Sequence, residues 1–232
     1  MRIFFLGLFF VFSSSVLSQK IYYFDYVLVY DLQGEKGDSV VKEFFYTNSK
    51  DNSYKLRVIE KDSLNFKLDF LDFMGNHAVV YLSKADFFKA ESITIPCKFI
   101  SHYQTHEIQS KNYDFLNLKD TVIDDVSYYH YVLKSNSLER EKKKKLAKAH
   151  YIIDKNSSFH LPFLIEDTAF EEWKVERNIP NGIPVLEFLA SSVDKKFYMT
   201  RKLILKESVA KQLYISKDCD YSQIDVKRIK NK

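Results

Sequence analysis

The chain has 232 residues, of which 46% are hydrophobic and 28% charged, and its formal net charge is +4 at pH 7. This composition excludes a largely disordered chain, and the charge is too small to indicate a nucleic-acid partner. With 2 Cys, 5 Gly and 4 Pro, it also excludes a disulfide-dense scaffold, a four-cysteine zinc site and a collagen-like repeat. The 20 Phe and 16 Tyr favour β-strands.

Residues 1–18 have the pattern of a secretory signal peptide. Arg2 provides the positive start, residues 3–12 form a short apolar run, and residues permitted at a cleavage site precede Gln19. The run is shorter than the ~20 residues that a membrane-spanning helix needs. We therefore predict cleavage before Gln19 and export of the chain, to the periplasm, to the outer membrane or out of the cell.

Alternating apolar and polar residues predict about ten β-strands. Most of them are joined by short turns, which is typical of an antiparallel meander. We therefore predict a mainly β protein, a single domain over residues 19–217 whose sheet curves into a half-barrel. A polar tail, residues 218–232, is predicted to fray. The predicted strands cover residues 21–32, 40–46, 54–59, 64–70, 77–82, 98–106, 128–134, 150–154, 185–190 and 197–205.

One segment has a helical pattern. Thr168 and Glu171 have the spacing of a capping box, and Phe170 and Trp173 lie three residues apart, on one helix face. We therefore predict one short helix at residues 169–177, packed through its aromatic side chains.

Two sets of apolar residues define a possible ligand groove. If the sheet curls, one face would line the groove, with Phe66 and Phe70 in its wall and Phe170 and Trp173 as its plug. The alternative is a filled core without a cavity. The residues predicted to share that face are Tyr22, Phe24, Tyr26, Leu28, Leu64, Phe66, Leu68 and Phe70.

The two cysteines allow two interpretations. In an oxidising compartment Cys97 and Cys219 can pair, which would close a long loop and contribute roughly 4–5 kcal/mol in the chain-entropy model. The alternative is two unpaired thiols, Cys97 in a strand and Cys219 in a loose tail, because sequence alone does not establish proximity.

Residues 139–148 contain six basic and two acidic side chains. One interpretation is a solvated connection that keeps a hairpin soluble. The other is a basic finger that contacts an anionic membrane surface or a glycan. The contacting residues in that case would be Lys142, Lys143, Lys144 and Lys145.

Motifs for catalysis and cofactors are not found. The sequence has no Gly-rich phosphate loop and no Gly-x-Ser-x-Gly elbow. His102 and His106 would lie roughly 13 Å apart along a strand, which is too far for one zinc ion. We therefore predict no cofactor, no metal and no catalytic residue.

The antiparallel meander contains the run His150-Tyr151-Ile152-Ile153-Asp154, followed shortly by Leu161-Pro162. In this respect the chain resembles the lipoprotein-carrier (LolA-like) superfamily and its exported relatives in Gram-negative bacteria. The resemblance implies a curved antiparallel sheet, an incomplete barrel, with helices that plug its concave side. It also implies carriage of acylated cargo across the periplasm.

The expected function is therefore that of a non-catalytic binding or carrier protein of the bacterial envelope. Its expected partners are a lipid or other apolar or acylated ligand and an anionic membrane surface, and not a nucleic acid. Two alternatives stay open: a hydrolase whose site assembles from distant residues, and a structural surface protein. An enzyme would show titratable groups that converge in the groove, a carrier a continuous apolar groove, and a structural protein a flat apolar patch.

Overall fold

The computed structural model describes residues 19–34, 39–103, 110–191 and 197–223. The predicted signal peptide, residues 1–18, lies outside them. The described chain is mainly β, with thirteen strands and three α-helices. The strands are β1 (Lys20–Gln33), β2 (Val41–Asn48), β3 (Asp51–Glu60), β4 (Asn65–Asp72), β5 (Asn76–Ser83), β6 (Ser92–Ile95), β7 (Ile100–His102), β8 (Tyr113–Asn117), β9 (Thr121–Ile123), β10 (Val126–Ser135), β11 (Ala147–Ile153), β12 (Pro184–Ser191) and β13 (Phe197–Ile215); the helices are α1 (Lys84–Lys89), α2 (Leu138–Lys144) and α3 (Asp167–Glu176).

All strands belong to one sheet with the order β7-β5-β4-β3-β2-β1-β13-β12-β11-β10-β8. β9 pairs with β10, and β6 pairs with β13 in the parallel direction; the pairs along the main path are antiparallel. The first and last strands lie side by side, with Tyr22 opposite Leu213. The sheet is not closed into a barrel, and the predicted curved antiparallel meander is confirmed.

The predicted helix is found as α3, which begins at Asp167, but its predicted cap is wrong. The N-cap residue is Glu166, whose side chain makes no capping hydrogen bond, and Thr168 lies inside the helix. The prediction of a single helix is also wrong. α1 and α2 have only six and seven residues, which is too short for a helical apolar pattern to stand out in the sequence.

The apolar side chains of β1 do not stay on one face. The register against β13 shifts between Phe24 and Tyr26, and such an irregularity interrupts the two-residue alternation of a strand. Phe24 packs in the same cluster as Val27, whereas Leu28 packs in another cluster, with Tyr26 against it. The prediction that these residues share one face is therefore wrong.

Apolar clusters cover both sides of the sheet. The side on which α1 and β6 pack holds one large cluster, which includes Phe66, Phe70 and Phe87. We call this the α1 side. The opposite side holds two clusters that include residues of the long connection between β11 and β12. That connection, residues 154–183, is called the plug segment below, and the side that it covers is the plug side.

The end of the described chain packs against β5, where a frayed tail was predicted. The amide of Tyr221 donates to Oδ1 of Asn76 at 2.7 Å, and Nδ2 of Asn76 donates to Asp220 at 2.6 Å. Cys219 is buried. Residues 224–232 lie outside the described part of the chain. Among the described residues, none of the helices has the length and apolarity needed to cross a membrane.

Candidate functional site

The plug segment is much longer than its endpoints require. β11 and β12 are neighbours in the sheet, with Ile153 opposite Pro184, and such strands are usually joined by two to five residues. The connection here is residues 154–183 and contains α3. Because a tight turn would join the same strands, the extra length serves to cover the plug side.

Hydrogen bonds attach the plug segment to the far hairpin of β2 and β3. The amide of Leu161 donates to the carbonyl of Ser49 at 2.9 Å, and Nδ2 of Asn52 donates to the carbonyl of Pro162 at 2.9 Å. Nε2 of the buried His160 lies 2.9 Å from Oγ1 of Thr47. The segment therefore leaves the sheet at β11, reaches β2 and β3, and returns to β12.

Aromatic and aliphatic side chains fill the space under the plug segment. The ring of Phe163 packs 5.2 Å from that of Phe45. Further along, the ring of Phe170 stacks on Phe73, with centroids 4.2 Å apart and planes at 10°. Trp173 is buried beside them. The plug segment thus contributes its own apolar side chains to the core of this side.

Charged side chains, most of them buried, lie in the middle of the plug side. Nε of Arg201 donates to Oε2 of Glu43 at 2.8 Å, and its NH1 group donates to Oε2 of Glu187 at 3.3 Å. Arg57 makes a further ion pair with Glu43. Lys55 is also buried close by. These five residues are called the charge cluster.

Burial shifts the pKa of two members of the charge cluster. It raises the pKa of Glu187 to about 7, although the positive charge of Arg201 acts in the opposite direction. It lowers the pKa of Lys55 to about 8, against the effect of Glu166 and Asp167. Oε1 of Glu187 has no hydrogen-bond partner among the described residues.

Lys55 joins the charge cluster to the plug segment. Its ammonium group donates to the carbonyl of Leu164 at 3.5 Å and to that of Ile165 over a shorter distance. It also lies 4.2 Å from the ring centre of Phe73. A strand residue thereby holds the backbone of the covering segment.

A cavity of about 10 Å³ remains beside the charge cluster, lined among others by Tyr151, Glu187 and Arg201. This volume holds about one water molecule. Beside the charge cluster, the plug segment therefore leaves space for little more than one water molecule.

The structure does not bring the predicted groove residues together. Phe66 and Phe70 are 3% and 0% exposed in the cluster of the α1 side. Phe170 and Trp173 belong to a cluster on the plug side. Leu64, predicted on the same face as Phe66, is 72% exposed and precedes β4. The predicted groove is therefore wrong, because its wall residues lie on one side of the sheet and its plug residues lie on the other.

The charge cluster was missed in the sequence. Its members occupy the polar positions of strands in which apolar and polar residues alternate. This alternation does not distinguish a polar face that is exposed to water from one that a distant segment covers. The spacing of residues in the sequence contains no signal for the plug segment's path, which is set by contacts between residues about 110 positions apart.

The other predicted site residues lie elsewhere. Cys97 and Cys219 are joined by a disulfide with Cα atoms 5.4 Å apart, and Cys97 begins a short 3-10 turn, not a strand. Lys142, Lys143 and Lys144 form the last turn of α2, and Lys145 caps it in a left-handed conformation. All four lysines are exposed. His106 lies outside the described residues, in which no group of three or more metal-ligating side chains is found.

Comparison with known proteins gives structural matches only. No protein-family model matches the chain, and no curated protein matches its sequence significantly. Among solved structures, the chain is similar to the MucA/MucB complex of Pseudomonas aeruginosa, at 8% identity and a TM-score of 0.42 over 87% of this chain. It spans 56% of the length of that matched chain.

A second similar structure is a LolA superfamily protein from Nitrosomonas europaea. The identity is 10% and the TM-score 0.29, over 80% of this chain and 85% of the other. A LolA superfamily protein is thus among the solved structures to which this chain is similar.

Proposed function

We propose that this is a non-catalytic binding protein of the bacterial envelope, and that its ligand is a lipid or another molecule with an apolar chain. The ligand binds on the plug side of the sheet, in the space that the plug segment now fills. The observation that carries this proposal is the plug segment itself, an insertion between two adjacent strands that covers two apolar clusters and the charge cluster. Its action in the envelope rests on the signal-peptide pattern of residues 1–18.

The plug segment is held as a separable layer. It adds no strand to the sheet, and its attachment to β2 and β3 consists of a few hydrogen bonds and of apolar contacts. We propose that this layer opens locally while the strands beneath it stay folded.

An apolar ligand would compensate for the opening. Exposing a large apolar side chain costs roughly 1.5–3 kcal/mol. Movement of Phe163 and Phe170 away from the sheet would expose their partners Phe45 and Phe73 to water. An acyl chain in the same place covers these rings again, so the ligand binds the open state better than the closed one and shifts the equilibrium towards it.

The only tryptophan of the chain provides the test. Trp173 lies in α3, is 4% exposed, and stacks with the guanidinium group of Arg177 at 3.8 Å. Titration of the mature protein with dodecanol should shift its emission saturably, because the plug segment moves. A signal that does not saturate, or no change up to the solubility limit, would count against the proposal.

A hydrolase is the second candidate, because titratable groups do converge under the plug segment, as an enzyme would require. Glu187 has a pKa of about 7, which suits a general acid or base. Against this, its charged neighbours pair with one another, and the cavity beside them holds about one water molecule. Hydrolysis of a chromogenic acyl ester that Glu187→Gln abolishes, while the fold is kept, would favour the enzyme over the binding protein.

A further inference from the structure

A second cavity lies at one end of the plug side, between α2 and the edge strand β8. It has a volume of about 330 Å³ and is lined by Asn112, Tyr113, Arg140, Lys144 and Leu146. Two of these five residues are cationic. The cavity is therefore large enough for a small polar group and is positively charged.

The sequence dictates how this cavity is built. Ser137 caps α2 by accepting a hydrogen bond from the amide of Arg140. The guanidinium group of Arg140 then lies 5.5 Å from the ring centre of Tyr113 and donates to Asn112 and, at 2.9 Å, to Ser135. These contacts fix one cation of the cavity in place.

The buried acidic side chain of α2 is already neutralised. Glu141, on the same helix, is buried and forms an ion pair with Lys148 at 3.2 Å. By contrast, Lys144 and its exposed neighbours Lys142, Lys143 and Lys145 form no ion pair within the part of the chain that the structure describes. Among the described residues, the positive charge of Lys144 is therefore not paired with a carboxylate.

The cavity also borders the apolar side of the sheet. Tyr113, one of its lining residues, packs against the apolar cluster that contains Phe170 and Trp173. The cavity is therefore adjacent, through Tyr113, to an apolar cluster that the plug segment covers.

We infer that this cavity binds the anionic headgroup, a phosphate or a carboxylate, of the amphiphile whose chain occupies the plug side. This inference rests on the proposed function and adds the class of ligand, an anionic amphiphile. Arg140 and Lys144 supply the positive charge. The alternative is a solvated helix without a binding role.

The test compares an anionic with a neutral amphiphile of equal chain length. Dodecyl phosphate and dodecanol are titrated against the mature protein, with Trp173 emission as the readout. The salt concentration is 0.15 M, at which the Debye length is about 8 Å. The wild type should bind dodecyl phosphate about tenfold more tightly than dodecanol. Lys144→Glu should weaken the binding of dodecyl phosphate about tenfold and leave that of dodecanol unchanged.

Lys143→Glu is the matched control, because it makes the same change of charge one residue away, at an exposed lysine that does not line the cavity. Equal losses in the two variants would overturn the inference in favour of a diffuse charge effect. Equal affinity of the wild type for the two amphiphiles would overturn it as well, and would leave the proposed function standing.

Calorimetry with inorganic phosphate forms the second arm. Phosphate binding that Lys144→Glu removes and Lys143→Glu preserves would support the anion site even if neither amphiphile binds. In that case only the proposed function would be wrong, and the anion that the cavity binds would be free phosphate. Failure of phosphate and of dodecyl phosphate to bind the wild type would overturn the inference.

Discussion

The ammonium group of Lys55, on β3, donates a hydrogen bond to the backbone carbonyl of Ile165 in the plug segment. The two residues are 110 positions apart in the chain. Lys55 is 7% exposed, and burial lowers its pKa to about 8. A buried cation thus holds the backbone of the segment that covers the plug side of the sheet.

Replacement of Lys55 by Met should loosen the plug segment more than it changes the stability of the whole domain. Loss of the hydrogen bonds to Leu164 and Ile165 is destabilising, but removal of a buried charge offsets it, so we expect the free energy of unfolding to change by no more than about 1 kcal/mol. Acrylamide quenching of Trp173 should at least double. Lys42→Met, at an exposed lysine of β2, should leave quenching unchanged, and unchanged quenching in Lys55→Met would show that Lys55 does not hold the segment.

The raised pKa of Glu187 predicts a specific pH dependence. In the folded state its carboxyl group titrates near pH 7, above the ordinary value of 4.5. The folded protein therefore binds the proton more tightly, and this contribution to stability is fully present below pH 4.5 and is lost as the pH rises through 7. Urea denaturation of the wild type and of Glu187→Gln between pH 4.5 and 7.5 measures it. The wild type should lose stability relative to the variant as the pH rises. A difference in stability that stays constant would contradict the raised pKa of this buried carboxyl group.

Two phenylalanines on opposite sides of the sheet provide a matched pair. Phe70 lies in the strand core of the α1 side, and Phe170 lies in the plug segment. Phe70→Ala should lower the free energy of unfolding by roughly 3–5 kcal/mol. Phe170→Ala should cost less than half of that and should increase quenching of Trp173, because it weakens a segment that opens locally. Equal costs would indicate that the plug segment unfolds only with the whole domain.

The disulfide predicts the effect of reduction on stability. It closes a loop between residues 122 positions apart, for which the chain-entropy model gives about 4–5 kcal/mol. Cys97→Ser/Cys219→Ser should lose most of this in urea denaturation, and the reduced wild type should match the double variant. Detection of two free thiols in the unfolded, unreduced protein would show that the bond is absent.

Local patterns predicted the strands well where one face of a strand is buried. In β4, Phe66, Leu68 and Phe70 alternate with polar residues and all three are buried, as the two-residue period requires. The same period failed in β1, because the register shift between Phe24 and Tyr26 depends on the partner strand and leaves no mark in the sequence of β1 itself.

The candidate site was predictable only in part. The helical pattern around Phe170 and Trp173 identified α3, whereas α2 was not predicted as a helix, and only the exposure of its lysines agrees with the interpretations of the lysine-rich run. The side of the sheet that α3 covers was not predictable, since it depends on the path of residues 154–166 and on partners such as Lys55. A strand lysine that binds carbonyl groups cannot be distinguished by its sequence from one that faces water.

The most direct test of the account is to lock the plug segment in place. Ser49 and Leu161 are joined by a backbone hydrogen bond of 2.9 Å, so a disulfide in Ser49→Cys/Leu161→Cys, its formation verified by thiol titration, would cross-link the plug segment to the hairpin. Binding of dodecanol, followed by Trp173 emission, is measured before and after reduction, with the equally reduced wild type as the control for the native disulfide. Binding that is absent in the oxidised variant and returns on reduction is the predicted result. Equal binding by the oxidised and reduced variant would contradict the claim that the ligand enters by displacing the plug segment.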